Sequence, residues 1–235
     1  MSRTLLLGLA LLAACGPALT AQDASADKFR GGKVEWARLK TDSAYWARHA
    51  SRDAELLAFI REHTSLNIDR TWYAATARNL DELCVYPFLF SDDINHLVTD
   101  TERRNFAEYI HRGGFVFIDA CIATGVNPDP DRFYQNQIRL LRSLFPDLRI
   151  EALPSSHEVF SIYFKLTEYP PQTRPGNSWS DGPTYPLRAL YSGNRMIGML
   201  SLSGLQCGWA DIAGHANATV CMEMMTNIYL YAITR

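Results

Sequence analysis

The sequence has little charge of either sign to spare: 23 Lys and Arg stand against 25 Asp and Glu, a formal net charge of -2. No basic stripe breaks that balance, which excludes the electrostatic footprint of a nucleic-acid binder. No apolar run approaches the roughly 20 residues that a membrane-spanning helix needs. His-x-x-x-His and Cys-x-x-Cys spacings are absent, so no metal site is expected, and without a glycine-rich phosphate loop no cofactor is expected either. A Gly-x-Cys-x-Gly elbow, the turn that exposes a nucleophile to backbone amides, is missing too. Repeats and low-complexity segments do not occur.

What is present suits one globular domain with a real core: 235 residues, of which 47% are hydrophobic and 20% charged. A chain of this size buries roughly 70% of its unfolded surface and folds without a staple. The N-terminus stands apart from that domain. Arg3 precedes the apolar run Thr4 to Leu12, the length of a signal h-region. Leu12-Ala13-Ala14-Cys15 then matches a lipobox, in which the Cys15 thiol is lipidated and becomes the new N-terminus. Ordinary secretion with a cut near Ala21 is the alternative, which Leu19 three places earlier fits poorly. A signal peptide over residues 1–21, a polar tether over 22–32 and a single domain over 33–235 are therefore expected. Either cut places the domain in the periplasm or cell envelope, and Gly16 after the Cys favours the outer membrane. Cys84, Cys121, Cys207 and Cys221 allow three full pairings, and their spacing selects none. Cys84 and Cys221, in apolar surroundings, read as small core residues.

Along the domain, strand and helix patterns alternate. Val34 to Leu39 reads as a strand. Ser51 is a candidate cap for a helix carrying Leu56, Leu57, Phe59 and Ile60 and ending near His63. Ile68 to Ala74 and the near-continuous apolar run Leu83 to Phe90 read as further strands, with Pro87 marking a bulge or a nearby strand end. Thr99 or Asp100 caps a helix that Gly113-Gly114 ends, and Phe115 to Ile118 follows as a buried strand. A helix with Ile138, Leu140, Leu141 and Leu144 runs to Pro146. Such alternation predicts an α/β domain with a mostly parallel sheet and helices on both faces. The second half adds a Pro- and Gly-rich loop, Tyr169 to Tyr185, and a hairpin of Leu187 to Tyr191 and Met196 to Leu202 around Ser192-Gly193-Asn194-Arg195. A closing helix spans Ala218 to Ile233.

Six motifs stand in a recognisable order: Glu35-Trp36-Ala37-Arg38-Leu39; Tyr86-Pro87-Phe88-Leu89; Gly113-Gly114-Phe115 with Asp119; Leu144-Phe145-Pro146; Leu153-Pro154 with His157; and Asn227-Ile228-Tyr229-Leu230-Tyr231-Ala232. In this the chain resembles the bacterial domain-of-unknown-function family 4159 from about Lys33 to Arg235. The resemblance implies a flavodoxin-like, class I glutamine amidotransferase-like fold in exported proteins, and no activity. Members of that family often carry paired aspartates after the fourth strand, whereas this chain has Asp119-Ala120-Cys121.

Ligands of open parallel sheets bind at the carboxyl ends of strands. Three segments are expected to converge there: Ser91-Asp92-Asp93, Asp119-Ala120-Cys121 and Ser155-Ser156-His157. Asp92, Asp93 and Asp119 are the ligand-binding candidates, Asp119 being equally suited to capping a loop. Cys121 as nucleophile with His157 as base is the catalytic candidate. Against it, Asp119 two residues away raises a thiol pKa, and His157 also fits a turn into Val159-Phe160. In the glycine-rich stretch Gly204 to His215, the residues Trp209, Asp211 and His215 are further candidates, or parts of a structured loop in which Trp209 packs. The aromatics of the Tyr169 to Tyr185 loop suit sugar or peptide stacking, or cover the sheet edge. The favoured function is a non-catalytic ligand-binding or assembly module, its partner a small molecule, glycan or envelope protein. A Cys-dependent hydrolase or amidotransferase-like enzyme is the alternative.

Overall fold

The computed structural model describes residues 32–120, 129–169, 185–210 and 218–235. Seven strands form one sheet: β1 Val34–Lys40, β2 Ile68–Thr76, β3 Phe88–Ser91, β4 Phe115–Asp119, β5 Arg149–Ala152, β6 Arg188–Ser192 and β7 Arg195–Ser201. Their order is β2-β1-β3-β4-β7-β6-β5. The pairs β1–β2, β1–β3, β3–β4 and β4–β7 are parallel, and only β6 runs against its two neighbours. This is the doubly wound, flavodoxin-like arrangement, in which the chain reverses its winding direction between β1 and β3.

Strand alternation supplies two separate cores. Trp36, Phe88, Phe90, Phe115, Phe117 and Met199 face one side. There they pack on helix α1, Asp53–His63, through Leu56, Leu57 and Ile60, and on the closing helix through Met224, Met225, Ile228 and Tyr229. Ala37, Leu39, Leu89, Val116 and Ile118 face the other side, and so meet Phe106, Tyr109, Ile110, Phe133, Ile138 and Leu141. Those six belong to two helices, Asp100–His111 and Pro130–Leu144. With a short helix at Leu80–Leu83, the helices are numbered in chain order: α2 is 80–83, α3 100–111 and α4 130–144, followed by α5, Leu205–Trp209, and α6, Ala218–Thr234. No helix among the described residues is long and apolar enough to cross a membrane.

Local chemistry sets several boundaries. Thr99 caps α3 in a complete capping box with Glu102, leaving Gly113, at φ 108°, to turn the chain into β4. Asp129 caps α4, with Pro130 opening it. The β6–β7 turn is the two-residue Gly193-Asn194, and Gly193 takes φ 57°.

Four expectations need correction. Leu83 to Phe90 is not one strand: Asn79 caps α2 by accepting from the amides of Asp81 and Glu82, and β3 starts only after Pro87. Ser51 caps nothing, because a 3₁₀ turn over Ala50–Arg52 precedes α1. The reading of Gly204 to His215 as loop missed α5. Cys84 is exposed rather than a core residue, whereas Cys221 is buried as expected.

Close approach explains one glycine. Gly198 of β7 pairs with Val116 of β4, and a Cβ there would lie 2.3 Å from the Val116 carbonyl oxygen. Because backbone cannot swing aside as a side chain can, Gly198→Ala forces the two central strands apart. We expect a loss of about 2–3 kcal/mol in urea unfolding, with the fold retained.

Candidate functional site

The carboxyl ends of β1, β3, β4 and β7 lie side by side, and a buried polar network joins them. It starts at Arg38 on β1, fully buried although charged. Its Nε donates to Asp53 Oδ2 at 2.6 Å and its Nη2 to Asp53 Oδ1 at 2.7 Å, a bidentate pair with no exposed surface. Trp36 Nε1 donates to the same carboxylate at 2.9 Å. Nη1 of Arg38 reaches the Arg48 carbonyl at 3.2 Å and Gln206 Oε1 at 3.5 Å. Its guanidinium lies 4.5 Å from the centre of the Phe90 ring, on β3.

Gln206, in α5, carries the network onward by donating to the Asp119 carbonyl at 3.3 Å. The Asp119 carboxylate accepts from the Gly204 and Gln206 amides, each at 3.0 Å. Burial pushes this carboxyl up to about 6, and hydrogen bonds from Ser201 and the amides of residues 204–206 offset that only in part. Both oxygens are therefore occupied: Asp119 ties the turn after β7 to the end of β4. The buried Tyr169 hydroxyl near Asp119 is itself raised well above its usual range by burial.

The network thus runs from β1 to β4, and the end of β3 lies between them. Here the polar groups are not satisfied. Ser91 Oγ and Asp92 Oδ1 are buried without a hydrogen-bond partner, and so are Ser203 Oγ just past β7 and Trp209 Nε1 in α5. Asp92 is 5% exposed. Burial first, and the neighbouring Asp93 second, hold its carboxyl up at about 6, against a smaller opposing pull from Arg38 and His96. A buried carboxylate with an open acceptor is costly, and such groups concentrate at functional sites.

His49 adds a second irregularity at the same end. It is the single non-glycine residue with positive φ among the described residues, at 57°, and it leads the turn into α1. Burial, then repulsion from Arg48 and Arg38, lowers its imidazole to about 4, so it is neutral at physiological pH. Left-handed backbone at a non-glycine residue is strained and favours functional positions.

The expected site residues separate. Asp92 and Asp119 lie on adjacent strand ends. Asp93 is committed to structure, its Oδ1 accepting from Asn95 N at 2.8 Å, Asn95 Nδ2 at 2.9 Å and Gln137 Nε2 at 2.7 Å. His157 does not join them, because β5 is the far edge strand, separated from β4 by β7 and β6. Its Nδ1 accepts from Val159 N at 3.2 Å and its ring packs 5.5 Å from that of Tyr231. Trp209 is fully buried, edge-on to Trp36 and Phe90, so it offers no exposed face for stacking. Cys15, Cys121, Asp211, His215 and most of the Tyr169 to Tyr185 loop lie outside the described residues. Cys207 is disulfide-bonded, while Cys84 is a free thiol.

Sequence reasoning missed Arg38, Asp53 and His49. Arg38 had a signal: it shares a strand face with Trp36, and a charge on an apolar face implies a buried partner. The strain at His49 left none. Among the described residues no group of three or more His, Cys, Asp or Glu could hold a metal ion. A family model described as a domain of unknown function, DUF4159, matches residues 35–233. No curated protein matches the chain.

Proposed function

We propose, for a chain that belongs to the DUF4159 family, that it is a non-catalytic ligand-binding module of the bacterial cell envelope, anchored through a lipidated Cys15. Its ligand enters at the carboxyl ends of β1, β3 and β4, where the winding of the sheet reverses. One observation carries this reading: Asp92, buried at that reversal, has an oxygen with no partner. A protein under selection for stability alone would have paired or neutralised it.

Catalysis by the Cys121 and His157 pair has less support. His157 belongs to the opposite edge of the sheet, where its ring is already engaged by backbone and by Tyr231. The near-neutral charge of the chain argues for a small molecule, glycan or envelope protein over nucleic acid.

Buried tryptophans next to the site provide a readout. Titrating the domain with the low-molecular-mass fraction of an envelope extract should change tryptophan emission saturably, and the Asp92→Asn variant should not respond. Mass spectrometry should then recover the bound compound chemically unchanged. Accumulating product would show an enzyme, and an equal response from the variant would move the site elsewhere.

A further inference from the structure

We infer that the group received at the end of β3 is a cationic N–H donor, a primary ammonium carried by the ligand and held by Asp92. The inference rests on the reading of this end as the ligand site and adds the chemistry of what binds there. Among the described residues, the charged or titratable groups facing Asp92 are Asp93, Arg38 and His96. Neither Arg38 nor His96 is free to pair with it. Arg38 spends Nε and Nη2 on Asp53 and directs Nη1 to the Arg48 carbonyl and Gln206. The His96 imidazole lies 3.7 Å from Asp93 rather than against Asp92. Asp93 in turn has its Oδ1 filled by Asn95 and Gln137, so it adds negative charge near Asp92 without offering that oxygen to a ligand.

The end of β3 therefore holds negative charge that no described residue pairs with, on a carboxylate with an open acceptor. Beside it in sequence is a second unpartnered oxygen, Ser91 Oγ. Acceptors without a counter-charge suit a donor that brings its own charge. A bare metal ion is a poor fit, since it needs several carboxylate, imidazole or thiolate ligands and the described residues offer no such group. An ammonium needs less: it is a compact point charge with three donors, and one carboxylate with neighbouring hydroxyls satisfies it. A neutral polyol would fill the hydrogen-bond positions but leave the charge uncompensated.

The test uses methylammonium chloride as probe, with sodium chloride at equal ionic strength as reference. At about ten times its dissociation constant a small ligand raises Tm by roughly 3–6 °C in a domain of this size. That shift is expected near pH 8. It should shrink below about pH 5, where Asp92 holds its own proton, and be absent in Asp92→Asn. Tetramethylammonium, which carries the charge without N–H donors, should give no shift in the unaltered protein, so the inference does not hang on the variant. A matching shift from tetramethylammonium, an unchanged shift in Asp92→Asn, or no shift from methylammonium overturns it. A shift from glycerol alone that disappears in Asp92→Asn also overturns the ammonium while keeping the site. An Asp92-dependent tryptophan response to the extract, combined with silence toward methylammonium, sinks the ammonium only. Silence in both experiments sinks the site as well.

Discussion

Replacing Arg38 by methionine lowers the stability of the domain by about 3–5 kcal/mol, read from urea unfolding. The magnitude follows from what remains rather than from what is lost. Asp53 is fully buried, and its carboxylate has Arg38 as its ion-pair partner and the Trp36 indole as a further donor. Methionine preserves contact with Phe90 but leaves that carboxylate desolvated and uncompensated. The same logic predicts that Arg38→Met combined with Asp53→Leu recovers at least half of the loss. A neutral pair avoids the unpaired charge and sacrifices only hydrogen bonds to Trp36, Arg48 and Gln206. If the double variant were as unstable as the single one, Arg38 would matter through shape and not through charge.

Asp92→Asn has the opposite sign: it stabilises the folded state, by about 2–3 kcal/mol above pH 7, at roughly 1.4 kcal/mol for each tenfold change in proton affinity. The folded carboxyl titrates at about 6 against an ordinary 3.8. Below the unfolded value both states hold the proton, and the group contributes nothing adverse. Between the two values the folded state keeps a proton that the unfolded state has released, so stability falls as pH rises. Above the folded value the penalty is complete. Asparagine carries no charge at any of these pH values, so its advantage should vanish near pH 4. Asp119, also raised to about 6, leaves a residual slope of the same sign in the variant. A stabilising substitution at a buried position signals a group retained for something other than stability.

How far the sequence revealed these features depended on whether the physics was local. The Thr99 cap, the Gly113 stop and the Gly193-Asn194 turn are each decided within a few residues, and the elements around them were legible. The sheet class followed, because alternating strands and helices leave few ways to bury both faces of a strand. The Leu83 to Phe90 run misled because hydrophobicity without periodicity does not separate a short helix from a strand. Asn79 supplied the deciding hydrogen bonds just upstream. The site was legible only as a direction, toward the carboxyl ends. That end includes Asp92 and Asp119, but distinguishing the satisfied carboxylate from the orphaned one required α5, whose amides fill Asp119. His157 was misplaced for a topological reason: β6 and β7 return through the sheet and set β5 at the edge, an order that strand patterns alone do not encode.

The central claim is that Asp92 is a buried carboxylate held against its own desolvation. The most direct measurement is a carboxyl ¹³C NMR titration of the protein, with the Asp92 signal assigned by its absence in Asp92→Asn. A midpoint near 6 is the predicted result. A midpoint at the ordinary aspartate value of about 3.9 would contradict it, since the charge would then already be satisfied within the protein and would have no ligand to receive.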